Sequence, residues 1–109
     1  MADGVKNYAG EDFDAMVAQG VTLLDFWATW CNPCMMQGTI LEQQVAPKIG
    51  GRAALVKINV DEYPAVAAKF GVQGIPALFI LKDGQIVSEY TGVQRADALV
   101  QALESALEG

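Results

Sequence analysis

The chain has no histidine, only two cysteines and few basic residues, and each shortage removes a class of function. Zinc takes four ligands, usually Cys or His, so an intrachain structural site would need unusual carboxylate ligation. Covalent haem attachment needs a His directly after the second Cys of a Cys-x-x-Cys pair, and Met35 stands there instead. Seven Lys and Arg against thirteen Asp and Glu give a net charge of -6 without any basic cluster. That argues against a nucleic-acid backbone or an anionic membrane surface as partner, and it favours solubility. No apolar run approaches the roughly 20 residues of a membrane-spanning helix. The segment Met1 to Lys6 lacks the basic-then-apolar pattern of a secretory signal, so a reducing cytoplasm is the expected compartment, although a chain already relieved of its signal would read the same.

What is present fits one domain over residues 1–109, since 52% of 109 residues are apolar and a chain of that size can bury a core. Val5 to Tyr8 reads as a short edge strand. Glu11 to Gln19 reads as a helix, with Phe13, Met16 and Val17 on one face, acidic residues in its first turn and Gly20 as its stop. Val21 to Trp27 is apolar enough for a strand buried on both faces. Met36, Ile40, Leu41 and Val45 fall at helical spacing and predict a helix from Cys31 to about Ile49, facing the core with these residues. Pro47 should kink or stop that helix, because it lacks an amide proton and crowds the preceding turn. Ala53 to Val60 is a second buried strand, which a helical crossover from the first makes parallel to it. Pro64 opens a short helix through Phe70. Asp83-Gly84 joins the strands Ala77 to Leu81 and Gln85 to Tyr90 as an antiparallel hairpin, and Arg95 to Leu107 closes the chain as an amphipathic helix. The sum is an α/β architecture, a central mixed sheet with helices on both faces.

Within this frame Trp30-Cys31-Asn32-Pro33-Cys34 follows a buried strand and opens a helix. Two thiols one helical turn apart at a helix mouth can close into a small disulfide ring. A purely structural disulfide over so short a loop removes little chain entropy and stabilises weakly. Redox chemistry is the leading reading, with intermolecular metal binding and structural pairing as the alternatives. Asp25 is the only charge inside Val21 to Trp27. A carboxylate there is either desolvated, with its pKa raised toward the range useful for proton transfer, or sits at a strand end that reaches solvent. Lys57, isolated in the neighbouring apolar strand, reads equally as a modulator of the Asp25 proton or as a surface lysine whose stem covers apolar area. Pro76 is out of place for a central ladder, so Ile75-Pro76 marks a turn or a cis peptide.

The chain resembles the thioredoxins nearly end to end. Phe26-Trp27-Ala28 and Trp30-Cys31-x-Pro33-Cys34, then Val56 to Asp61, Tyr63, Phe70-Gly71-Val72, Gly74-Ile75-Pro76 and Gly92 stand in the family's order and approximate spacing. The resemblance implies the thioredoxin fold, reduction of protein disulfides, and recharging by a flavin-containing, NADPH-linked thioredoxin reductase. It implies no bound cofactor beyond the redox-active Cys31-Cys34 disulfide, no metal, and a monomer whose partners are the reductase and disulfide-containing proteins. It also implies a buried, functional Asp25 and a cis Pro76 packed against the dithiol. The backbone ahead of that proline is left to pair with an extended target segment, so recognition is main-chain driven and loose. Trp30, Gly74, Ile75, Gly92 and Val93 would form the apolar docking rim, and Trp27 reads as core.

The roles of the cysteines follow from physical chemistry. A thiolate is the nucleophile, and Cys31 lies where unpaired helix amides and the positive end of the helix dipole favour the anion. Cys34, tethered one turn further on, displaces the reduced target from the mixed disulfide. Pro33 suits the first helical turn, either rigidifying the ring or only starting the helix. The chain departs from the family pattern in four places. Asn32 replaces the usual Gly, Met35 stands where many members carry a basic residue, Gly38-Thr39 replaces the usual Pro, and Ala77 replaces the frequent Thr after the cis proline. A module that keeps the thioredoxin surface for binding alone, or a reductant of one pathway fed by an atypical reductase, are the competing readings.

Overall fold

The computed structural model describes residues 4–109. Residues 1–3, part of the stretch read for a secretory signal, lie outside the described residues. Five strands form one mixed sheet in the order β1-β3-β2-β4-β5. These are β1 (Val5–Asn7), β2 (Val21–Trp27), β3 (Ala54–Asn59), β4 (Ala77–Lys82) and β5 (Gln85–Thr91). β3 runs parallel to β1 and β2, whereas β4 is antiparallel to both of its neighbours. The helices are α1 (Phe13–Val17), α2 (Asn32–Ile40), α3 (Ala46–Ile49), α4 (Pro64–Lys69) and α5 (Ala96–Glu108).

Strand side chains alternate between faces, and the two cores follow that period of two. Val21, Leu23, Leu55, Leu78 and Ile80 meet Leu41, Val45, Ile49, Leu99 and Leu103 on one face. Leu24, Phe26, Val56, Ile58 and Phe79 meet Val17, Ala67, Phe13 and Phe70 on the other. β2, in the middle, is buried on both faces, as its composition predicts. Each fully buried leucine or isoleucine stabilises the fold by roughly 1.5–3 kcal/mol relative to exposure. The hairpin between β4 and β5 turns on Asp83 and Gly84, both with positive φ. Two left-handed residues match the twist of the flanking strands, which is why an Asp-Gly step suits a two-residue loop.

Two expectations are corrected and one is narrowed. α1 is shorter than Glu11 to Gln19, because Glu11 is engaged outside the helix. Its carboxylate meets Lys6 and accepts from the Ala9 amide, while Asp12 caps the helix by accepting from the Ala15 amide. Of the two outcomes expected at Pro47, a kink or a stop, the helix does not stop but changes its winding ahead of the proline. The chain widens into a π-helical turn over Leu41–Val45, where the Ala46 N–H donates to the Leu41 carbonyl, and then continues to Ile49. A wider turn draws the Gln43 carbonyl, which has no donor at Pro47, away from the proline ring. Met36 does not face the core and is 60% exposed. The buried stripe runs instead through Cys34, Gln37, Gly38, Leu41 and Val45, a helical spacing that includes one polar residue and one glycine.

Candidate active site

Cys31 is the N-cap of α2, and its sulfur accepts from the Cys34 amide at 3.2 Å. The two cysteines are joined as a disulfide, with Cα atoms 5.2 Å apart. Cys31 keeps 6% of its surface and Cys34 none, so Cys31 is the member of the pair with any opening to solvent. The amide donation that Cys31 receives strengthens when the sulfur becomes a thiolate, because bonds to an ionised acceptor are shorter and stronger. Pro33 occupies the first turn of α2, where a missing N–H costs nothing. Asn32 beside it is exposed.

The peptide between Ile75 and Pro76 is cis, and the Ile75 carbonyl lies 3.9 Å from the Cys31 sulfur. In the disulfide this is a contact; after reduction the carbonyl is placed to accept from the thiol. Ile75, Val60 and Trp27 pack against the cysteines and Ala28. Gly92 donates from its amide to the Pro76 carbonyl at 2.8 Å, which joins the Gly92–Val93 segment to the same wall. Trp30 is 69% exposed and held in place by its indole N–H, which donates to Asp61 at 2.9 Å. Val93 is also exposed, and Gly74 lies open beside Ile75. Of the five rim residues, Ile75 touches the Cys31 sulfur and Gly92 is tied to the neighbouring Pro76.

Asp25 occupies the centre of β2, opposite Lys57 on β3 and Leu78 on β4. It alternates with Leu23 and therefore points to the sheet face that α2 and α5 cover. It is fully buried, and neither carboxylate oxygen has a hydrogen-bond partner. Burial pushes its pKa up to about 7, partly opposed by the Lys57 charge. A carboxyl with that pKa accepts or gives a proton near neutral pH. Lys57 is only half-buried. Its ammonium lies 4.3 Å from the centre of the Trp27 ring, a cation–π distance, and a methyl at Gly38 would come within 3.0 Å of it. Gly38 thus leaves room for the ammonium under α2. Trp27 belongs to this layer as well as to the packing, with its indole N–H buried and unpartnered.

Sequence reasoning missed Val60, Asp61 and Gln37. Val60 and Asp61 end an apolar strand run, and nothing local shows that they reach the cysteines and Trp30. Gln37 is fully buried, yet its chemistry reads as surface. The only signal for it was its place on the 34, 38, 41, 45 stripe.

Among the described residues no group of three or more His, Cys, Asp or Glu is arranged to hold a metal ion, and no helix is long and apolar enough to cross a membrane. A family model described as Thioredoxin matches residues 4–105. A thioredoxin of Staphylococcus aureus is 46% identical over 96 residues, which cover 88% of this chain and 91% of that protein. Among solved structures, a mutant thioredoxin from Halobacterium salinarum superimposes with a TM-score of 0.82 at 38% identity, covering 99% of this chain and 95% of that one. A chloroplastic thioredoxin z superimposes at 0.85 with 30% identity over 100% and 99% of the two chains. A sequence match of that extent, together with a cysteine pair closed at the mouth of α2, shows that the chain belongs to the thioredoxin family and is a thiol-disulfide oxidoreductase.

Proposed function

We propose that the chain is a general protein-disulfide reductase in which Cys31 attacks and Cys34 resolves. The carrying observation is the inequality of the two cysteines, 6% exposed against fully buried, at the start of one helix. The Cys31 thiolate attacks one sulfur of the target disulfide, forms a mixed disulfide and releases the other sulfur as a thiol. Asp25 takes the Cys34 proton through the layer between the sheet and α2. The Cys34 thiolate then attacks the Cys31 sulfur, and the second target thiol leaves. Two target thiols are formed, and the Cys31-Cys34 dithiol is oxidised to the disulfide.

Several features support the supporting roles. Asp25 has a pKa near neutrality and no competing partner. Lys57, in register with it, lowers that pKa and so modulates the proton. Trp30, Gly74, Ile75, Pro76, Gly92 and Val93 form an apolar docking rim beside Cys31, which suits an extended target segment of loosely specified sequence. Family membership implies a reductase and disulfide-bearing targets as partners. The finer reading is a monomer with a single domain over residues 1–109, working in the cytoplasm and recharged by an NADPH-linked flavoprotein thioredoxin reductase. Asn32 and Met35 set its redox poise apart from members with Gly and a basic residue there.

Trapping tests the roles. Cys34→Ser accumulates mixed disulfides with target proteins, and Cys31→Ser does not. Equal trapping by both variants refutes the assignment.

A further inference from the structure

We propose that Gln37 is a positioning residue for target binding, a brace that locks the Gly92–Gln94 segment of the docking rim to the dithiol helix. The proposal rests on the reading of Gly92 and Val93 as rim residues. Gln37 lies one turn beyond Cys34 on α2 and is fully buried. Its side-chain oxygen accepts from the Gln94 amide at 2.7 Å, and its side-chain nitrogen donates to the Gln94 carbonyl at 3.2 Å. A carboxamide carries the donor and acceptor of a peptide group, so Gln37 pairs with the main chain of Gln94 as a neighbouring strand would. One bond would leave a pivot. Two bonds from one planar group to one residue fix both the distance and the orientation of the segment.

The contacts close into a ring that passes through the Cys31 sulfur. The Gln94 side chain donates to the Gly92 carbonyl at 3.1 Å, and the Gly92 amide donates to Pro76 at 2.8 Å. Ile75 touches the Cys31 sulfur, which the Cys34 amide holds, and one helical turn leads back to Gln37. An apolar residue at position 37 would fill the core equally well, but it would leave the Gln94 amide and carbonyl without these partners. The segment would then be ordered only when a target binds, and the cost of ordering it would appear as weaker docking.

Gln37→Leu and Gln37→Met test this with the full chain, reduced beforehand and mixed with rising concentrations of insulin. The half-saturating insulin concentration should rise about tenfold, by the cost of ordering a loop on binding. The limiting rate, and the rate with a small aromatic disulfide that does not span the rim, should stay within about twofold of the parent. Amide exchange at Gln94 should become faster in both variants. Val93→Ser, which alters the rim and leaves the brace intact, should also raise the half-saturating concentration. If Val93→Ser raises it and both Gln37 variants do not, the brace is overturned. If all three leave it unchanged, the rim reading fails and the brace with it. A parallel fall in the small-disulfide rate places Gln37 in support of the dithiol itself, and loss of folding in both variants assigns it to the core; either outcome overturns the proposal.

Discussion

Asp25→Asn separates the thermodynamic from the catalytic consequence of a buried carboxyl. The side chain is fully buried with both oxygens unpartnered, and its pKa is raised from 3.8 to about 7, chiefly by burial. Below 3.8 the carboxyl is neutral in both native and unfolded chains, and its contribution to stability is fully present. Between 3.8 and about 7 the unfolded chain releases a proton that the native chain retains, so stability falls as pH rises and levels off above the native pKa. That interval corresponds to about 4 kcal/mol at about 1.4 kcal/mol per pH unit. Asparagine does not titrate. The stability of Asp25→Asn relative to the parent should therefore climb by about 4 kcal/mol from acid to mildly alkaline pH. Urea unfolding of both proteins at a series of pH values reads this directly, because every other titrating group is common to the pair and cancels in the difference. The same substitution removes the proton acceptor for Cys34 and should slow resolution of the mixed disulfide near neutral pH, roughly tenfold to a hundredfold. A stability difference that does not vary with pH would refute the buried-carboxyl argument. A steep pH dependence with unchanged resolution kinetics would remove Asp25 from the proton path.

Two further variants probe the surroundings of the dithiol. Asn32→Gly combined with Met35→Lys removes an exposed polar side chain beside Cys31 and adds a positive charge in the first turn of α2. The Cys31 thiol should then titrate at lower pH. The stabilised thiolate favours the reduced state, so the potential should become less negative. Thiolate absorbance and equilibration against a glutathione buffer measure the pair, and a shift of either sign in one without the other breaks the link. Gly38→Ala sets a methyl within 3.0 Å of the Lys57 ammonium, the mobile end of a long side chain, which gives way. Stability should change by no more than about 1 kcal/mol, with alanine the better helix former. Because Lys57 lowers the Asp25 pKa, its displacement should move the Asp25 midpoint upward in the same pH series, and an unmoved midpoint would show that Lys57 does not act on Asp25.

The elements were legible because each has a local cause. The apolar run of β2, the Asp-Gly turn at 83–84, Pro64 at the start of α4 and the amphipathic period of α5 all act within a few residues. The dithiol was legible for the same reason, since the spacing of Cys31 and Cys34 and the helix that follows them are local facts. The misreadings arose where a local pattern competes with a distant contact. Met36 suits the apolar pattern of α2 better than Gln37, and only the arrival of the Gln94 main chain makes a polar residue favourable on the buried stripe. Pro47 forbids a regular turn but not a wide one, and packing of Leu41, Val45 and Ile49 against the sheet and α5 holds the helix through it. The sequence by itself determined that this chain is an α/β oxidoreductase fold with a reactive cysteine pair at a helix mouth, because strand burial, helix period and cysteine spacing are properties of neighbouring residues. Tertiary packing alone shows that Cys31 keeps a trace of exposure and Cys34 none, that Asp25 lies buried without a partner opposite Lys57, and that Gln37 pairs with the Gln94 main chain. Those are matters of which segments meet across the sheet, and burial, desolvation and hydrogen bonding between residues tens of positions apart have no trace in the local pattern.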